Sequence, residues 1–228
     1  MQTLLLTVCL VACATQPPAA EPSTPAEIET VQPNEAEYSV TKLHYPYDNF
    51  FYKDGLRWIM QHPDEAHPVL VARLDARGTG HHHIPRVLAM LGRAEGVPPL
   101  ERALWGDSET LAGSAGIALG HHPHEDAFAA LIRALQSDAG PQVLGAAIEG
   151  LRRRKDPAAC PALRSHLHHA DSSVRYYTLR ACAELGCIER GEIAPFVDDP
   201  HPDVAALASG LLEGGQGAAQ GNPAASEE

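Results

Sequence analysis

The sequence lacks any run of about 18 apolar residues, so nothing in its 228 residues is built to cross a bilayer as an integral helix. Basic charge is scarce: 17 Lys and Arg stand against 29 Asp and Glu, a formal net charge of -12. Nucleic-acid binders carry a clustered basic face, so this balance argues against that class. No Gly-rich loop ending in Gly-Lys-Ser/Thr is present to cradle a nucleotide phosphate. No Gly-x-Ser-x-Gly elbow is present to hold a nucleophilic serine. The acids that are there lie unevenly. Glu21, Glu27, Glu29, Glu35 and Glu37 fall in 14–37 without a single base, and Glu213, Glu227 and Glu228 follow Leu212. The stretch 38–212 keeps 21 acids against 17 bases, so the folding part is only mildly acidic.

Leu4 to Ala12 form a short apolar core of signal-peptide length. Leu10-Val11-Ala12-Cys13 resembles the lipobox of bacterial lipoproteins. The resemblance implies that 1–12 is a signal peptide, cleaved before Cys13, and that the Cys13 thiol is lipidated. Met1-Gln2-Thr3 departs from the pattern by lacking Lys or Arg. Ala14 after the Cys implies the outer membrane, with the protein facing the periplasm. Residues 14–37 are rich in Pro, Ala, Thr and Glu and bury too little apolar surface to offset their ordering entropy. The region 13–37 is therefore read as a lipidated Cys and a disordered tether, with a mean reach of about 25–30 Å. Residues 214–228 read as a second disordered tail.

Between these ends the chain repeats. Apolar or small residues at i, i+4, i+7 and i+8 mark one helical face. They read Leu111, Ala115, Ala118, Leu119, then Val143, Ala147, Gly150, Leu151. The face returns as Val174, Thr178, Ala181, Cys182 and as Val204, Ala208, Leu211, Leu212, with a degenerate copy at His83, Val87, Met90, Leu91. The starts, His83, Leu111, Val143, Val174 and Val204, are 28, 32, 31 and 30 residues apart. A near-constant period of about 30 suits stacked helical hairpins. Second helices follow at Val97, Leu100, Leu104; at Leu131, Leu135; at Cys160, Leu163, Leu167; and at Ile193, Val197. Gly92, Gly120 and Gly186 sit where first helices should end, and Asp107, Asp171 and Asp156-Pro157 sit where caps belong. Small residues at i+4 allow close helix approach.

Asp171-Ser172-Ser173-Val174-Arg175 through Ala181 and Leu185-Gly186 resembles a HEAT repeat of the short phycobilisome-lyase type, with Arg175 at the family's frequent Arg. The resemblance implies an all-α fold: an α-solenoid of about five hairpins over 80–213, with 38–79 as an N-terminal cap and degenerate pair. It also implies a binding role, with a concave face lined by second helices and gripping a protein partner. Aromatics make up only 5% of the chain, yet Tyr38, Tyr45, Tyr47, Phe50, Phe51, Tyr52 and Trp58 gather early. That cluster reads as the cap closing the first repeat; the competing reading is a recognition patch.

Histidines cluster as His81-His82-His83, as His121, His122, His124, and as His166, His168, His169. His166, His169, His121 and His124 are the candidate metal ligands, and exposed loop histidine is the favoured account. Deoxyhypusine hydroxylase, a HEAT enzyme, carries several His-Glu dipeptides. Here only His124-Glu125 matches, too little for a di-iron centre. Arg152, Arg153, Arg154 and Lys155 form the one basic run. They either complement a helix C-terminus or dock an anionic partner. Cys160 and Cys182 occupy core-like phases, and Cys187 follows within bridging distance of Cys182 only if the helix stops at Gly186. The expectation is a monomeric, non-enzymatic envelope scaffold without cofactor, binding a protein and no nucleic acid, held to the membrane by its lipid. A metal-buffering protein is the alternative.

Overall fold

The computed structural model describes residues 34–46, 48–76 and 81–218. Cys13, Tyr47, the tether to Pro33 and the tail beyond Ala218 lie outside them. All regular structure among the described residues is helical. Helix α1 (Glu35–Thr41) precedes five hairpins. These are α2 (Phe50–Gln61) with α3 (Pro63–Asp75), α4 (Ile84–Leu91) with α5 (Val97–Leu104), and α6 (Glu109–His121) with α7 (Glu125–Leu135). Then come α8 (Pro141–Arg154) with α9 (Cys160–Arg164), α10 (Ser172–Leu185) with α11 (Arg190–Ile193), and a closing α12 (Pro202–Ala218). The hairpins stack in a row as an α-solenoid, and from α4 onward each first helix lies beside the next.

A hairpin of this size cannot bury its own apolar face, so its neighbours must. Leu119, Leu131, Leu144, Ile148 and Leu151 are fully buried between successive pairs. Each such side chain contributes roughly 1.5–3 kcal/mol by leaving water. Small residues set how near the first helices come. A Cβ placed on Gly120 would stand 2.2 Å from the Gly150 carbonyl oxygen. One on Gly116 would stand 2.2 Å from the Ala146 oxygen, and one on Gly150 2.3 Å from the Gly116 oxygen. Helices α6 and α8 therefore meet backbone to backbone. Gly120 lies inside α6, which runs on to His121, so its role is close approach and not helix termination.

Other expectations need adjusting at single positions. Gly92 and Gly186 do end their helices, at φ 66° and 70°. Ser108, not Asp107, caps α6 by accepting from the Leu111 N–H. Asp171 caps α10, and Asp156 caps a 3-10 turn at Pro157–Ala159 that leads into α9. Met90 is 45% exposed, while Ile84, Val87 and Leu88 face the core of the degenerate copy. Val197 is likewise outside and Phe196 inside, because 194–198 winds as a 3-10 helix and shifts the phase. Helix α1 starts at Glu35, capped by Asn34, inside the stretch read as tether. Helix α12 runs past 213 to Ala218.

The cysteines pair unexpectedly. Cys160 and Cys187 form a disulfide, with Cα atoms 5.2 Å apart. Left-handed Gly186 turns the chain so that the Cys187 N–H donates back to the Cys182 carbonyl at 2.8 Å. That turn aims Cys187 across to the start of α9 and away from Cys182. The bridge staples the fourth hairpin to the fifth. Cys182 stays a fully buried thiol, pushed up to about 11 by burial and therefore inert.

Two outcomes follow for stability. Gly150→Ala should destabilise the fold by about 1–3 kcal/mol through forced separation of α6 and α8. Gly113→Ala, where a Cβ meets nothing within 4 Å, should stabilise by about 0.5–1 kcal/mol. Urea unfolding of the two variants checks the opposite signs. Cys160→Ser should cost about 3–4 kcal/mol by releasing a loop of 27 residues, read as the loss of melting temperature that reductant causes in the parent and not in the variant.

Candidate binding surface

The outer side of the first helices carries a charged hub and, next to it, an aromatic cleft. At the hub, the Arg152 side chain is 11% exposed and donates to Glu149 at 2.6 and 2.8 Å and to Glu184 at 2.5 Å. Arg153 donates to Glu149 at 2.8 Å, and Arg180 stands 3.9 Å from the same carboxylate. Burial alone would push the Glu149 carboxyl up, but Arg152 and Arg153 outweigh it and hold it at about 2. The hub thus joins α8 to α10.

The cleft, about 540 Å³, lies between the N-terminal halves of α10 and α12. Tyr176, Tyr177, His201, Asp203, Ala206 and Leu207 line it. The two tyrosine rings meet edge to face at 5.6 Å. Tyr177 lies against bare Gly145 of α8, its Cδ2 3.4 Å from where a Cβ would stand. It is 38% exposed, an amphipathic ring presented at the surface on a rigid helix. The His201 Nδ1 is buried without a hydrogen-bond partner, 3.9 Å from an Asp203 oxygen. Sequence reasoning passed over this cleft, because Tyr176 and Tyr177 occupy outward phases that periodicity treats as solvent.

The candidate residues from the sequence are scattered. His166 donates through Nε2 to the Leu135 carbonyl at 2.8 Å, and His169 Nδ1 accepts from the Asp171 N–H at 3.0 Å. Their ring centroids are 6.0 Å apart. His121 Nδ1 donates to the Ile117 carbonyl at 3.0 Å, and His124 caps α7 by accepting from the Asp126 N–H. Among the described residues no group of three or more His, Cys, Asp or Glu is placed to hold a metal ion. The basic run divides. Arg152 and Arg153 serve the hub, and Arg154 donates to the His122 carbonyl at 2.9 Å with its guanidinium 5.4 Å over Phe128. Lys155 is exposed in a left-handed conformation at φ 59°. Arg154 and Lys155 do share a shallow depression of about 460 Å³ with His121.

Arg175, which the sequence marked by its resemblance to the repeat's frequent Arg, forms a clasp with Asp199. Arg175 donates to both oxygens of Asp199 at 2.8 Å and to the His169 and Ala170 carbonyls at 2.9 Å. It ties α10 to the turn ahead of α12, and Asp199 also accepts from the His201 N–H.

Three histidines are held neutral inside the N-terminal half. Burial, then the charges of His124 and Arg154, lower His122, despite its Nε2–H bond to the Arg93 carbonyl at 3.2 Å. Its Nδ1 accepts from the His124 N–H, which fixes the tautomer. Burial and Arg93 lower His67, and burial, His82 and Arg86 lower His83.

Comparison with known proteins places the repeat. The family described as HEAT repeats matches residues 97–184. No curated protein matches the chain. Among solved structures, the complex of CpcE and CpcF of phycocyanin lyase from Nostoc sp. PCC7120 is similar at 21% identity and TM-score 0.44, over 85% of this chain and 81% of that one. A designed armadillo repeat protein in complex with the peptide (KR)4 is similar at 18% identity and TM-score 0.44, over 78% and 98%. An engineered protein is similar at 17% identity and TM-score 0.46, over 80% and 89%.

The neutral histidines set an acid response. A histidine lowered in the fold keeps its stability contribution above its ordinary 6.5 and loses it as pH falls through that value. Carboxylates held low, Glu149 and Glu192 at about 2, add a second loss below about 4.5. Melting temperature should therefore drop between about pH 7.5 and 5.5, before any carboxylate protonates. His67→Leu removes a buried Nε2 with no partner, and should shrink that first drop while leaving neutral-pH stability equal or higher.

Proposed function

We propose that this chain is a scaffold of the bacterial envelope, anchored through a lipid on Cys13, which presents its stacked repeats to a protein partner. The observation that carries the binding role is the cleft at Tyr176 and Tyr177. An aromatic ring partly exposed in a depression on rigid helices is the kind of anchor on which interface energy concentrates. The first-helix side is the favoured face.

Two features support export. Leu10 to Cys13 has the lipobox pattern, and Cys160–Cys187 is a bridge that persists in oxidising compartments. Among the described residues no helix is long and apolar enough to cross a membrane, so the membrane link is assigned to the lipid. By the lipoprotein resemblance, Ala14 after the Cys supports the outer membrane, facing the periplasm.

A photo-cross-linking residue at Tyr177 in native cells should give one discrete adduct, and the same residue at exposed Pro98 on α5 none. Equal capture at both positions contradicts the assignment of the face. Cys13→Ala should abolish incorporation of a fatty-acid probe; label that persists contradicts the anchor.

A further inference from the structure

We propose that the aromatic end of the stack, on α1, α2 and the turn between them, rests on the surface of a lipid bilayer. The proposal builds on the lipid-anchor reading. An end cap of a solenoid needs a polar outer face to stay in solution. This one turns Tyr52 inward at 3% exposure, but leaves Tyr38 at 52%, Tyr45 at 44%, Phe50 at 72% and Phe51 at 47%. The rings form a patch: Tyr45 and Phe51 lie 5.3 Å apart, Phe50 and Phe51 5.8 Å apart. Lys42 sits 4.3 Å over Tyr38 while paired to Asp54 at 2.6 Å.

Three observations select a bilayer as the occupant. Aromatic side chains partition to the boundary between headgroups and acyl chains, where an apolar ring and a wet polar tip are both satisfied. Charge around the patch is nearly balanced, with Glu35, Glu37, Asp48 and Asp54 against Lys42, Lys53 and Arg57, so a strongly charged peptide finds no complement there. The patch also lies at the near end of the chain from the anchor. Tyr38 is 25 positions from Cys13, at most about 90 Å of extended chain, so an anchored molecule holds its patch at high local concentration over the bilayer. Contact there would stand the stack on its N-terminal end and leave the Tyr177 cleft, four repeats away, clear of the lipid.

The test uses the chain from Pro33 onward, which contains the entire described core as one compact unit and carries neither Cys13 nor the apolar 4–12 segment. It is floated with vesicles of phosphatidylethanolamine and phosphatidylglycerol. The parent should float with the vesicles, and salt should not release it. Phe50→Ser with Phe51→Ser should lower partitioning about tenfold or more, with an unchanged melting temperature because both rings are exposed. Absence of flotation, flotation lost with salt, or equal flotation of the double variant overturns the proposal. So does a patch-dependent dimer that leaves vesicles unbound. Fatty-acid labelling of the full chain reports the anchor separately. Label without flotation overturns the patch alone, and flotation without label overturns the anchor alone.

Discussion

Where α6 lies along α8, there is no space for a side chain. The Gly150 oxygen occupies the place beside Gly120 where a Cβ would be, and the Ala146 oxygen does the same beside Gly116. Both contacts join residues 30 apart, one full repeat. Close packing of this kind fixes register, because sliding one helix along the other brings a Cβ against a backbone carbonyl. The neighbouring repeats inherit that register, and their apolar faces meet because the central pair already does.

Polar bonds then repeat the same offset. Arg93–Asp64 spans 29 residues, Arg133–Glu101 and Arg152–Glu184 each 32, and His166 to the Leu135 carbonyl 31. Exposed pairs among these add little stability. The half-buried ones matter more for specificity. Arg175 and Asp199, 24 residues apart, show side-chain exposures of only 12% and 6%, so losing either partner leaves the other's charge stranded in a partly buried site. Arg175, present in only one copy of the repeat, marks the junction where the 3-10 segment 194–198 replaces a regular second helix.

Much of this architecture was legible in the residues. Val174, Ala181 and Cys182 are all fully buried, as their phase required, and the hairpin order follows the 30-residue spacing. What was hidden depends on backbone geometry or on contacts between repeats. Gly120 reads locally as a stop and acts at long range as a spacer. Cys160 reads as a small hydrophobe, since nothing in the order of residues reveals that Gly186 swings Cys187 onto α9. Met90 and Val197 fell on the wrong side because 3-10 turns offset the helical phase next to them. The histidines drew notice by number, yet His62, His121, His122, His124, His166 and His169 serve as hydrogen-bond partners to the backbone. The Tyr177 cleft escaped because an outward aromatic becomes meaningful only once Gly145 and α12 are seen beside it.

A binding surface built from several helices is useful only if those helices hold a fixed relation to each other, so the account rests on repeats that stabilise one another and do not stand alone. Native-state hydrogen exchange measures this most directly. The buried amides of α6 and α8 should be the slowest in the chain and share one opening free energy equal to that of global unfolding. If α6 opens independently of α8, at a clearly lower free energy, the backbone contact does not hold the stack together and the account is contradicted.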